Sequence, residues 1–561
     1  VLAVSCGPSP LFLDIQNAVT KAEQSLPAPS IVPAGGLFRW SVPFTIGTTT
    51  PGAHLIYTTD GSSLVYNSHG DVAWPTSRTW SETVAVPGIG SGLGSYTVRA
   101  LAWKDGIASG ETQAVFQFVG DGATRWAKVA PGLTGGRTLA VAEWTDGTIV
   151  AGGWTGNPAS PQGFLTKLDS NGNALGSPLV LPAGSQFTGM AFDPANGNLV
   201  TVGTLEAPVT AVTTTTFNFG NSFTANLNPG DRVGFLAVYD SAGVCQWMSR
   251  TSGKLLFTGV AVYYNGASST ALVVGNITGG AGQTFTADAN GASFSPSKTT
   301  TSGVMSLFFL ATHGVSSFFM QSAAGSGSDW FNAVTVDAGA NTFAIAGAFD
   351  AASVTYSGTT VTGSAGYKSP LVLTGQATNL LGFVNVLAPL PRTADGELTS
   401  VAVSPSANIA AGGTQTGTTT FDWGSGHTWS GTAAGTNGVL VQLDNSVAHL
   451  PFDVSGPQGP PSAVSAVTGV AYASSSSGYA LHAVGTMSPG LYQWFGVTLT
   501  STATSAGFLA RKSAPFNLDW AKLSDGNQVE YTALSPDANS DGQLTVGGTS
   551  SATPAVAQVF D

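Results

Sequence analysis

One short phrase recurs seven times between residue 122 and the end of the chain, and it constrains the fold more than any other feature. A large apolar residue is followed by a small-residue strand, a polar turn and a second strand containing glycine. The phrase begins at Thr138, Phe187, Phe257, Phe331, Leu398, Val467 and Tyr531, with spacings of 49 to 74 residues. Typical members are Phe187-Thr188-Gly189-Met190-Ala191 and Phe257-Thr258-Gly259-Val260-Ala261. The second strand of each pair is expected to end at Gly152, Gly203, Gly275, Gly347, Gly412, Gly485 and Gly547. Alternation with period two is a strand signature, and strand-rich units of this length repeated in series indicate a β-propeller.

Each unit is expected to continue with a Thr/Gly/aromatic insertion, as in Thr216-Phe217-Asn218-Phe219-Gly220 or Thr420-Phe421-Asp422-Trp423-Gly424. A third strand follows, such as Phe235-Leu236-Ala237-Val238-Tyr239 or Phe508-Leu509-Ala510-Arg511-Lys512, and then a fourth carrying Trp, as at Trp247 and Trp520. This order resembles the bacterial SBBP-type propeller repeats over residues 122–561, which implies a seven-bladed propeller. The last unit stops after its third strand at Asp561, while Arg125-Trp126-Ala127-Lys128 copies the Trp-Ala-Lys of the sixth unit. Residues 123–131 are therefore expected to complete the seventh blade and leave no open sheet edge.

Ahead of the repeats, residues 31–118 alternate as short strands separated by turns, including Ser41 to Ile46, His54 to Thr59 and Ser95 to Ala102. The phrases Tyr57-Thr58-Thr59-Asp60-Gly61-Ser62 and Tyr96-Thr97-Val98-Arg99-Ala100 resemble the chitobiase/β-hexosaminidase C-terminal-type domain. That resemblance implies an Ig-like β-sandwich serving as a spacer or docking module without catalytic residues. Trp74, Trp80 and Trp103 either stack on sugar rings there or, as is commoner for Trp, pack within the domain. Within residues 1–30, Leu11, Ile15, Ala18, Val19, Ala22 and Leu26 have helical spacing, so one short N-terminal helix is expected before Pro27. The run Val1 to Ser5 before Cys6 resembles a bacterial lipobox, with Ala3 where Leu is favoured. It implies lipidation at Cys6 and a membrane association made only through that lipid.

Lys and Arg number 18 against 30 Asp and Glu, a net charge of −12 that repels phosphate backbones. Nucleic acid is an unsuitable partner for such a surface. The longest apolar stretch, Val304 to Met320, is interrupted by His313, Gly314, Ser316 and Ser317 and reads as two strands and a turn. Two cysteines are too few for a disulfide framework, and Cys245, sharing a strand face with Trp247, reads as a small buried hydrophobe. Six scattered histidines form no metal motif, and no G-x-S-x-G elbow or recurring carboxylate pair marks an active site. No catalytic residue and no cofactor is therefore assigned from the sequence.

Asp537, Asn539 and Asp541, followed by Gly542, place oxygen ligands at every second residue as calcium loops do. The loop lacks a later carboxylate, and an ordinary Asx turn accounts for the same spacing. The irregular segments carry aromatics, among them Phe217, Phe219, Trp423, Trp429, Tyr492 and Trp494, which either cover blade edges or anchor a partner. Two function classes follow. The first is a noncatalytic bacterial outer-membrane-surface or extracellular protein that binds surface proteins or glycans or packs into a larger assembly. The second is a secreted carbohydrate-active enzyme with its site at one mouth of the propeller axis.

Overall fold

The computed structural model describes residues 26–560 except 39–41, 90–92, 121–122, 279–284, 287–292, 295–297, 321–326, 364, 381–382, 390–393, 433, 447, 476–477, 514–517, 525–528, 536–542 and 551. The segment expected to form the N-terminal helix, Cys6 and the Asp537–Asp541 loop lie outside the described residues. The chain divides into two compact units, Val1–Ala123 and Thr124–Asp561.

In the first unit, a three-stranded sheet (Ser30–Val32, Val42–Gly47, Thr83–Ile89) and a six-stranded sheet centred on Gly94–Lys104 share one core. Phe44, Ile46, Leu55, Val98 and Phe116 fill it from alternate positions of their strands, as the period-two pattern demands. The two sheets thus form a β-sandwich. Most of its sheet pairing is antiparallel, but Gly35–Phe38 runs parallel to Thr112–Phe118.

The second unit contains seven four-stranded antiparallel sheets among the described residues, each built from strands in chain order apart from the last, whose outer strand comes from the start of the unit. We number them I (136–183), II (185–250), III (255–320), IV (329–387), V (396–455), VI (465–523) and VII (529–560 with 124–129). Their first strands are Gly136–Glu143, Ser185–Phe192, Leu255–Tyr264, Asp329–Asp337, Gly396–Val403, Ser465–Ser475 and Val529–Ser535. Each first strand packs on the next around the unit, and that of sheet VII returns to that of sheet I. This closed succession of small sheets is a β-propeller. Every seam between neighbours holds its own apolar cluster, so the core is distributed in seven slices. Val304 to Met320 does form two strands, Ser302–Phe309 and Gly314–Met320, joined at His313, whose φ is +52°.

The repeated phrase has a single geometric cause. In all seven first strands the pairing register slips at the same place, between Thr138/Ala140, Phe187/Gly189, Phe257/Gly259, Phe331/Ala333, Leu398/Ser400, Val467/Gly469 and Tyr531/Ala533. The residue before each slip is buried between sheets. A fully buried Phe there contributes about 1.5–3 kcal/mol. The slip is a β-bulge, which bends the strand and leaves one residue unpaired. Opposite it, the second strand carries Gly153, Gly203, Gly275, Gly347, Gly413, Gly485 and Gly548, where any Cβ would collide with a first-strand carbonyl oxygen. In three repeats this glycine stands one residue beyond the one expected from the sequence (153, 413 and 548 instead of 152, 412 and 547). The strands also continue past it, as Ile149–Asn157 and Thr342–Phe349 do. Gly347→Ala, which would drive a methyl into the Trp330 carbonyl, is expected to destabilise the chain by about 1–3 kcal/mol. A melting curve identical to that of the parent chain would show that the bulge is not there.

The insertions also differ from expectation. Hairpins between second and third strands occur in sheets II to VI, for example Thr215–Gly220 with Phe223–Leu227. Sheets I and VII instead turn directly, pairing Asn157 with Ser160 and Ser550 with Thr553. Cys245 is buried, with Sγ 3.5 Å from the Trp247 carbonyl, and burial pushes its thiol up to about 11. With Cys6 replaced by Ser, the native chain at pH 8 is expected to leave a thiol reagent unreacted and the unfolded chain to consume one equivalent. Immediate reaction of the native chain would contradict that burial.

Candidate functional site

The bulge residues face the propeller axis and are Leu139, Thr188, Thr258, Asn332, Thr399, Thr468 and Thr532. Six of them stitch one sheet to the next through a side chain. Thr188 Oγ1 donates to the Phe257 carbonyl at 2.8 Å, Thr258 to Phe331 at 2.6 Å, and Asn332 Nδ2 to Leu398 at 2.9 Å. Thr399 reaches the Val467 carbonyl at 3.5 Å, Thr468 donates to Tyr531 at 2.7 Å, and Thr532 donates to Thr138 and so closes the ring. Leu139 has no donor, so the seam between sheets I and II lacks the equivalent bond. Leu139→Thr is expected to supply it and to stabilise the chain by about 0.5–1.5 kcal/mol, measured by denaturant unfolding. A stability loss would mean that the position is held by packing alone.

Beyond this hydroxyl-lined throat the axis widens into a cavity of about 600 Å³ at the end that carries the first-to-second-strand turns. Its wall is aliphatic where Val262, Val336 and Val403 line it, with Trp144, Phe192, Tyr472 and Tyr479 among its aromatic lining. The carboxylates at this mouth are engaged in holding the fold. Glu143 is buried and accepts from Thr545 Oγ1 at 2.6 Å and Gln558 Nε2 at 3.4 Å, while Asp337 Oδ1 accepts the Ala340 amide at 2.7 Å. Gln558 also accepts from Arg125 Nη1 at 2.7 Å and Trp126 Nε1 at 3.1 Å, which ties the N-terminal strand of this unit into sheet VII.

A second cavity, of about 320 Å³, opens between sheets V and VI beside the mouth. Lys512, on the third strand of sheet VI, forms an ion pair there with Asp453 on the fourth strand of sheet V. Their side chains are only 2% and 1% exposed, and Lys512 Nζ also lies 4.4 Å from the centre of the Phe495 ring. Burial pushes the Lys512 ammonium below its ordinary value, and Asp453 opposes that shift. Burial also raises the Tyr472 phenol, with the neighbouring Gln442 side chain partly offsetting it. Gln442 Oε1 itself has no hydrogen-bond partner among the described residues. At the rim, burial works against ionisation of Asp444. Hydrogen bonds from Ser446 Oγ and N and from Leu450 N outweigh that effect and hold its carboxyl low.

The structure does not gather the residues singled out from the sequence into a site. Phe217, Phe219, Trp423, Trp429, Tyr492 and Trp494 are all buried, so they cover sheet edges and offer no face to a partner. In the sandwich, Trp74 and Trp80 are exposed (93% and 68%), with the Arg78 guanidinium 4.4 Å over the Trp80 ring, whereas Trp103 packs edge-on against His54. Among the described residues no cluster of three or more His, Cys, Asp or Glu could hold a metal. Lys512 was overlooked, although comparison of the repeats marks it. Counting four residues on from the partner of each bulge glycine gives Leu168, Tyr239, Phe308, Gly375, Leu443 and Val559 in the other sheets. Lys512 is thus the one charged residue at this position of the seven repeats.

No family model and no curated protein matches the chain. Among solved structures it is similar to Kuenenia stuttgartiensis hydrazine synthase, with 10% identity, a TM-score of 0.42, and coverage of 77% of this chain and 97% of the other. It is also similar to the polysaccharide lyase Uly1, with 8% identity, a TM-score of 0.42, and coverage of 77% and 91%. A third is Chaetomium thermophilum Sqt1 bound to the N-terminus of ribosomal protein L10, with 11% identity, a TM-score of 0.38, and coverage of 77% and 98%.

Proposed function

We propose that this chain is a noncatalytic binding or assembly protein of the bacterial surface or extracellular space. It comprises a seven-bladed, SBBP-like propeller preceded by an Ig-like sandwich, and its wide axial mouth receives a protein segment or glycan. The observation that carries this reading is the 600 Å³ mouth, walled by aliphatic and aromatic side chains. It sits on a ring whose neighbouring sheets are stitched by Thr and Asn side chains. A rigid concave surface with aromatic anchors binds with little ordering cost, which suits recognition. Attachment through an acylated Cys6 belongs to the same proposal, and mass spectrometry of protein from its native source is its test.

The function is tested by co-isolation from the native cell surface with the parent chain and with Trp144→Ala. The parent is expected to retain a discrete partner, and the variant, which removes an aromatic wall of the mouth, to lose at least tenfold in retention. Equal retention by both would move the contact elsewhere. The second reading, a secreted carbohydrate-active enzyme, draws on the buried Lys512–Asp453 pair beside Tyr472, since perturbed titratable groups in a cavity suit proton transfer. Turnover in a glycosidase, lyase and esterase screen that disappears in Tyr472→Phe would favour it over binding.

A further inference from the structure

We infer that the cavity between sheets V and VI is a binding site for a single neutral sugar ring, distinct from the axial mouth although Tyr472 and Tyr479 line both. Its volume of about 320 Å³ lies within the range of small-molecule pockets, roughly 300–1,000 Å³. Its polar groups are mixed in kind. Gln442, over nine-tenths buried, brings an acceptor oxygen without a partner, the Tyr472 hydroxyl both donates and accepts, and Asn408 adds an amide. A hydroxyl is the ligand group that can both donate and accept, so an array of hydroxyls matches this lining where a carbonyl or an ammonium alone would not. Leaving such buried groups unmatched is costly, and a ligand that pairs them recovers that cost.

Charge argues against an anion. Lys512 is already matched by Asp453, and Asp444, held ionised at the rim, leaves the cavity net negative. The half-exposed Tyr479 ring and the neighbouring Phe452 supply the apolar surface on which the C–H face of a sugar stacks. The repeat comparison supports a built site, because Lys512 replaces the leucine found at the same place in sheets I and V.

The test uses the full chain, titrated by calorimetry and followed by thermal denaturation. The probes are free glucose, galactose, mannose and N-acetylglucosamine, with inorganic phosphate and acetate alongside. At least one neutral sugar is expected to bind and to raise the melting temperature in proportion to its concentration. Tyr472→Phe and Gln442→Leu, each of which removes one polar group, are each expected to weaken that binding about tenfold or more, with Trp144→Ala leaving it intact. Three results would overturn the inference: no sugar bound, so that the cavity holds solvent only; phosphate or acetate bound in place of sugar; or sugar binding unchanged in both pocket variants. Loss of partner retention in Trp144→Ala with sugar binding preserved would separate this site from the axial one.

Discussion

Replacing Thr124–Val129 by a Gly/Ser linker of equal length is expected to lower the melting temperature of the propeller by more than 10 °C, or to abolish its cooperative unfolding. These residues form the fourth strand of sheet VII, pairing Trp126 with Gln558, Lys128 with Val556 and Val129 with Ala555. Their loss would remove a row of ladder bonds worth about 0.5–1.5 kcal/mol each and a seam Trp worth about 1.5–3 kcal/mol. It would also strip Arg125 from Gln543 and Gln558, to which its Nη1 donates at 2.6 and 2.7 Å. The total is comparable with the whole stability of a typical domain, about 5–15 kcal/mol. The last strand, Thr553–Phe560, would become an open edge. Calorimetry and limited proteolysis check the expectation, and a linker variant that melts like the parent would refute closure by this strand.

Asp453→Ala is expected to cost about 3–5 kcal/mol, because it leaves the Lys512 ammonium buried and unpaired. The double variant Asp453→Leu/Lys512→Met, which replaces both charges with apolar groups of similar size, is expected to return to within about 1 kcal/mol of the parent. The sign of the pH dependence follows from the lowered lysine. The folded chain gives up this proton at a lower pH than the unfolded chain, whose lysine titrates near 10.5. Within that window the unfolded state binds more protons, so this group makes stability rise with pH, and its burial cost is fully present below the folded value. Denaturant midpoints between pH 7 and pH 10 should show this upward contribution in the parent and lose it in the double variant. A flat difference between the two chains would mean that Lys512 is ordinarily solvated.

The repeated architecture was legible because its cause is local. A bulge at a fixed place requires glycine on the opposite strand, which marks all seven repeats, and it carries Thr or Asn in six of them, as at Thr258 opposite Gly275. The displaced glycines at 153, 413 and 548 were misplaced by one residue because they adjoin Gly152, Gly412 and Gly547, and only the bulge register tells the two apart. The aromatics of the insertions were ambiguous because burial is a property of the surroundings. Phe219 and Trp494 are sealed by the phenylalanines of the third strands, Phe235 and Phe508.

By itself, the sequence determined the β class, the seven repeats and the return of the Trp126 strand to close the last sheet. Strand period, turn chemistry and repeat spacing act between near neighbours, and the copied Trp-Ala-Lys carries its own label. Only the tertiary structure decided where chemistry could reside. Lys512 and Asp453 stand 59 positions apart on different sheets, and Gln442 of sheet V meets Tyr472 of sheet VI only across the seam between them. No period in the chain records that meeting, because a cavity between two sheets is set by which side chains fail to fill it.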